Sequence, residues 1–246
     1  MSAITNQPGV FPHIFTEYSE ELSGLHYLNT LDRLEIKQKV ELCEALSGFE
    51  TKNRYQVLDS FGQDVFFMSE ETDCCTRNLC GQLRPFTFHV TDNLGKEVLQ
   101  FSRGLSCTPF GWPNCYFCLC CLSCGTNEMS ITSMGSAVGT VKWENSCGIP
   151  SLCILDKSGK VIFNLESECC QCSFGSSIEY KIIDSELQVE VGQIAKEFNG
   201  FLMECLTDAD NFVIHFPVGI DMYQKALLLG ATISIDFMFY ETKNSQ

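Results

Sequence analysis

Two stretches of this chain hold side chains capable of specific chemistry. The first is Cys115-Tyr-Phe-Cys118-Leu-Cys120-Cys121-Leu-Ser-Cys124, preceded by Phe110, Trp112 and Pro113. Reduced thiols among aromatic and aliphatic residues suit thioester attachment of palmitate, with Cys115, Cys118, Cys120 and Cys121 as candidate acceptors. The same run holds two Cys-x-x-Cys pairs, Cys115/Cys118 and Cys121/Cys124, with the spacing of Zn²⁺ ligands. They lie almost back to back, whereas zinc modules usually separate such pairs by a dozen or more residues, so lipid is the favoured reading. Cys74, Cys75 and Cys80 form another group, and Cys169, Cys170 and Cys172 a third. These would hold Zn²⁺ only if folding brought them together; buried thiols acting as small apolar groups are the alternative.

The second stretch is Thr207-Asp-Ala-Asp-Asn-Phe212, running on through Phe216-Pro217. Asp208, Asp210 and Asn211 supply the hard oxygen ligands that Ca²⁺ prefers, at the first, third and fourth places of a loop. Phe212, Ile214 and Phe216 offer backbone carbonyls alone, and Asp221 falls two residues beyond the place of a closing carboxylate. Such a loop is expected to bind Ca²⁺ weakly, with a dissociation constant of about 10⁻⁴–10⁻³ M. An Asx-type turn capping a strand accounts for the same residues.

Next comes Lys225-Ala-Leu-Leu-Leu-Gly-Ala-Thr-Ile-Ser-Ile-Asp236-Phe-Met-Phe-Tyr240, the most apolar segment of the chain. Its apolar part is roughly 15 residues, short of the ~20 that an α-helix needs to cross a bilayer. It also carries Asp236, which is costly to place in hydrocarbon. A helix over 224–240 filling a protein core is therefore favoured over a membrane span. Asp236 then requires a buried partner or a wet end, and Gly230 and Ala231 allow close approach of strands.

Upstream, the chain alternates strand and turn. Asp59-Ser-Phe-Gly62, Asp92-Asn-Leu-Gly95 and Asp156-Lys-Ser-Gly159 share one turn pattern: Asp accepts hydrogen bonds from the turn backbone and Gly takes a positive φ. Phe86–Val90 before one turn and Glu97–Phe101 after it read as a hairpin. Leu34, Ile36, Val40 and Leu42 alternate with polar residues as in a half-buried strand, with a helix over 37–46 as the alternative. A larger repeat also shows. Hairpin 86–101, a Cys-rich loop, Glu128–Ile131 and Val138–Lys142 are echoed by hairpin 151–165, Cys169–Cys172, Ile178–Ile182 and Val191–Lys196. Two similar all-β halves closed into one barrel would leave no open sheet edge.

Composition narrows the function. With 246 residues, 45% of them apolar, and a formal charge of −15, the chain is globular and acidic, which argues against nucleic acid as a partner. Sixteen cysteines without a signal-peptide pattern or any Asn-x-Ser/Thr sequon fit a reducing compartment. No phosphate-cradling glycine loop, Gly-x-Ser-x-Gly elbow or His-Glu-x-x-His is present, so an enzyme is not expected. Residues 1–23 read as a short disordered lead and 24–246 as one domain.

Gly48-Phe-Glu-Thr51, Ser60-Phe-Gly-Gln63, Asp73-Cys-Cys-Thr-Arg77-Asn, Arg84-Pro-Phe-Thr87, Asp208-Ala-Asp-Asn-Phe212 and Ile235-Asp-Phe-Met-Phe239 follow one another through nearly the whole chain. In this order they resemble the signature blocks of the phospholipid scramblase family. The resemblance implies a tubby-like fold: a closed β-barrel of about twelve strands around a central hydrophobic C-terminal helix. It also implies Ca²⁺-dependent, ATP-independent, bidirectional movement of phospholipids at the plasma membrane. The chain would sit at the cytoplasmic face, lipid-anchored or single-pass, with membrane phospholipids, and protein partners or further copies in a homo-oligomer, as its expected partners. Where some relatives carry a nuclear-import segment, residues 191–200 keep one basic residue, Lys196, so nuclear and DNA roles are not carried over. The rival expectation is a palmitoylated, membrane-tethered adaptor or lipid-binding protein that moves no lipid.

Overall fold

The computed structural model describes residues 24–39, 52–73, 84–104, 128–146, 149–167, 178–197 and 211–239. A 3₁₀ helix, Gly24–Thr30, precedes twelve strands: β1 Arg33–Gln38, β2 Arg54–Leu58, β3 Asp64–Glu71, β4 Phe86–Asp92, β5 Glu97–Arg103 and β6 Glu128–Ser133. Then come β7 Ser136–Ser146, β8 Ile149–Asp156, β9 Val161–Ser167, β10 Ile178–Asp184, β11 Glu190–Glu197, β12 Asn211–His215 and the helix α1, Met222–Phe239. Each strand pairs antiparallel with its neighbours, and β1 pairs with β12 to close the barrel.

Period-two patterning fixes which way each strand faces. Phe86, Phe88 and Val90 point inward and are buried, while Thr87, His89 and Thr91 point out. Leu34 and Ile36 are buried on β1, with Glu35 and Lys37 outside, so Lys37 belongs to a strand and not to the alternative helix. The outward residues Gln100, Ser102, Ser130, Glu179 and Glu197 continue this polar surface. A membrane-spanning barrel shows the opposite pattern, apolar outward.

The connections divide by end. Tight turns join β2–β3, β4–β5, β6–β7, β8–β9 and β10–β11 at one end, here the turn end; β12 also reaches α1 there. In each of these five hairpins the register shifts just before the turn. Gly62, Gly95 and Gly159 donate to the carbonyls of Asp59, Asp92 and Asp156 at 3.1, 2.9 and 3.0 Å, all with positive φ. This is a turn followed by a left-handed residue and a bulge. The repeat is realised as β4–β7 followed by β8–β11, with β1, β2, β3 and β12 completing the ring.

The barrel needs a filling, and α1 supplies it. Asp221 Oδ1 accepts from the Gln224 amide at 2.8 Å while Gln224 Oε1 accepts from the Asp221 amide at 3.1 Å, a reciprocal cap that starts the helix at Met222. From Lys225 to Phe237 every residue is buried, as befits a helix apolar on all sides. Gly230 allows the closest approach: a Cβ there would lie 2.5 Å from Ile131 Cδ1 on β6. Among the described residues, no helix is long and apolar enough to cross a membrane.

Candidate lipid-facing site

The second end, here the loop end, gathers the chemistry-bearing connections. Strand order puts there the β3–β4, β5–β6, β9–β10 and β11–β12 connections. These hold Cys74, Cys75 and Cys80; Cys115, Cys118, Cys120, Cys121 and Cys124; Cys169, Cys170 and Cys172; and Asp208 and Asp210. All of these lie outside the described residues. Their anchoring strands are described, and β3–β4 and β9–β10 stand six strands apart on the twelve-strand ring, on opposite sides of its mouth. Among the described residues no group of three or more His, Cys, Asp or Glu could hold a metal, and Cys153, the described cysteine, is buried beside Asn164.

At this end of the described barrel the mouth is closed by a polar plug. Arg84 donates to Glu70 through Nε at 2.8 Å and a terminal nitrogen at 3.1 Å, with both side chains almost wholly buried. Glu70 also accepts from the Asn53 amide at 3.2 Å. The Arg84 guanidinium lies 4.7 Å from the ring centre of Phe237 on α1. Arg103 donates to the Arg84 carbonyl at 2.9 Å and stacks over Phe86, Trp143 and Phe237 at 4.5, 5.1 and 5.5 Å. Asp236 receives a hydrogen bond from the Tyr55 hydroxyl, the buried partner that its position demanded. Desolvated charges persist when paired and hydrogen-bonded in this way. Among the described residues, the plug and the end of α1 fill the barrel interior at this mouth.

Among the described candidate Ca²⁺ residues, Asn211 and Asp221 are not brought together. Asn211, Phe212 and Ile214 belong to β12, laddered on both sides to β1 and β11, so the backbone of Phe212 and Ile214 serves the sheet. Asn211 stands at the loop end, whereas Asp221 stands at the turn end as the N-cap of α1. A five-residue strand between them spans about 13–17 Å, too far for one ion. Phe216 packs at that same far end, 5.4 Å from Lys225 Nζ. Asp208 and Asp210, which adjoin Asn211 in sequence, lie outside the described residues.

Sequence reasoning missed Lys225 as a fastening. Its ammonium enters the turn end of the barrel and donates to the carbonyls of Leu28, Asn29 and Leu31 at 2.8, 3.4 and 2.5 Å. Burial lowers its pKa, opposed by the nearby charge of Asp32. A lone Lys opening an apolar run was the available signal. Arg84 and Glu70 gave less: nothing in their spacing pairs them. On the outer wall, His89 sits between Glu71 Oε2 at 2.8 Å and Glu97 Oε2 at 2.5 Å; these hydrogen bonds, Glu71 first, raise its pKa against the effect of burial.

Comparison with known proteins gives this architecture a family. The scramblase family model matches residues 12–242. Human phospholipid scramblase 1 is 40% identical over 224 residues, which cover 91% of this chain and 67% of the human protein. Bos taurus phospholipid scramblase 2 is 39% identical over 219 residues, 89% of this chain and 71% of the relative. Human phospholipid scramblase family member 5 is 35% identical over 221 residues, 89% and 77% respectively. The chain spans 65% and 64% of the mouse and rat phospholipid scramblase 1 sequences. A solved structure of a protein from Arabidopsis thaliana aligns with a TM-score of 0.43 at 12% identity, over 83% of this chain and 91% of that one. This chain belongs to the scramblase family.

Proposed function

We propose that this protein promotes ATP-independent, Ca²⁺-dependent, bidirectional movement of phospholipids between bilayer leaflets. It works from the cytoplasmic face of the plasma membrane. The observation that carries this reading is the family match over nearly the whole chain, with relatives named phospholipid scramblases. Acyl chains on Cys115, Cys118, Cys120 and Cys121 hold the protein at the bilayer, each buried CH₂ contributing about 0.8 kcal/mol. Attachment through lipid agrees with an α1 that is spent on the barrel core. Asp208, Asp210 and Asn211 supply the Ca²⁺ response, with weak affinity. Zn²⁺ at the cysteine clusters is the competing metal, distinguished by metal analysis of the purified protein.

Because α1 and the plug fill the barrel, headgroups do not pass along its axis. Lipid movement then runs outside the barrel, between copies or along a disturbed bilayer. The test is purified full-length protein in liposomes carrying labelled phospholipid, without nucleotide. Faster label equilibration from both leaflets at millimolar Ca²⁺ supports the proposal; rates equal to empty liposomes reject it. The filled barrel specifically favours one second reading, a palmitoylated adaptor or lipid-binding protein without transport. Liposome binding with unchanged flip rates selects it.

A further inference from the structure

The turn end carries a pattern that the loop-end chemistry leaves unused. Six chain reversals meet there, and five place a large apolar residue immediately before a residue of positive φ. These are Phe61 before Gly62, Leu94 before Gly95, Met134 before Gly135, Leu187 before Gln188 and Val218 before Gly219. Their exposures are 84%, 75%, 75%, 69% and 102%, and Tyr223 beside them on α1 is 45% exposed. Such turn positions ordinarily take Asn, Asp, Ser or Gly, as the sixth turn does with Ser158. Of the large apolar side chains exposed among the described residues, all but Phe67 stand at this end. Single exposed apolar residues are ordinary; the same choice at five tips facing one way is not.

The tips are held in place. Asp59, Asp92 and Asp184 accept from the tip amides of Phe61, Leu94 and Leu187 at 2.8, 2.9 and 2.8 Å. Asn93 donates to the Asp64 carbonyl and Lys160 pairs with Glu186, tying one reversal to the next. The hairpins thus present fixed prongs around the rim of a twelve-strand ring.

We propose that this crown docks the protein on a zwitterionic lipid bilayer, the prongs entering the headgroup layer independently of any acyl chain. The proposal rests on the reading that the protein acts at phospholipid membranes. Separate prongs ask a protein partner for a socket each, whereas a fluid bilayer accommodates them without sockets. The rim carries Asp64, Glu97, Asp156, Glu186 and Asp221 against Lys96, Lys157 and Lys160. Two copies meeting crown to crown would set like charge against like, and anionic lipid would be repelled where no divalent cation screens the rim. The quaternary ammonium of phosphatidylcholine complements that rim.

The experiment uses the full chain produced without acyltransferases, sedimented with phosphatidylcholine vesicles and with vesicles rich in phosphatidylserine. Wild type is expected to partition onto the first and less onto the second. The pairs F61S/L94S and L187S/V218S should each weaken partitioning about tenfold or more, with unchanged thermal midpoints. F67S, outside the crown, should bind as wild type does. Equal binding by the crown pairs and wild type, or no binding of unacylated wild type, overturns the proposal. So does a lipid-free dimer that the same pairs dissolve. Failure here with Ca²⁺-dependent lipid movement intact in the acylated protein sinks the crown alone. Crown-dependent binding with unchanged flip rates sinks the transport reading alone.

Discussion

Arg84 and Glu70 show how this barrel tolerates charge in its interior. A bidentate pair this deeply buried contributes little net stability, but losing one partner strands the other without water. Arg84→Met is therefore expected to cost about 3–5 kcal/mol, read from urea denaturation midpoints, and Glu70→Leu added to it should recover most of that loss. If the double variant is no more stable than R84M, the pair is not the reason for the cost. His89 gives the pH-sensitive counterpart on the surface. Its pKa is raised in the folded state by Glu71 and Glu97, so its stabilising contribution is full below the ordinary histidine value of about 6.5. That contribution is lost as pH climbs through the raised value. Wild type should thus lose thermal stability relative to His89→Gln between pH 6 and 8; parallel pH profiles would contradict this.

At the scale of elements, α1 and the strands that clasp it set the tolerance of the fold. A Cβ at Gly139 on β7 would come within 2.2 Å of the Leu155 carbonyl oxygen and 2.9 Å of Leu227 on α1. Backbone cannot yield as a side-chain end can, so Gly139→Ala is expected to cost at least about 2 kcal/mol. Gly230→Ala meets the movable tips of Ile131 and Met129 and should cost less. Calorimetry of the two variants checks the order, and a reversal would place α1 elsewhere. Much of this architecture was legible in the sequence. The Asp-x-x-Gly turns gave three hairpins, alternation gave the buried face of β1, and the short length and Asp236 gave a core helix. Other features were not legible, for physical reasons. The turn after Asp184 puts Gln188 rather than Gly at positive φ, and that after Ser133 lacks the Asp. Asp221 was counted with the loop ligands, whereas β12 runs extended and carries it off to cap a helix. Arg84 meets Glu70 across a connection whose spacing carries no pairing signal.

The described molecule is a closed wall, polar outside, wrapped around its own most apolar segment, with a buried polar plug at one mouth and its apolar tips at the other. Such a barrel keeps α1 to itself, and on the proposed reading it meets a bilayer through its ends. Tags at both termini of the full chain, displayed on sealed vesicles of known orientation and treated with protease, test this most directly. A helix held as the barrel axis leaves both tags on the cytoplasmic side, and both are digested from that side alone. A C-terminal tag protected there, and cut only from the opposite face, would put α1 across the membrane and contradict the account.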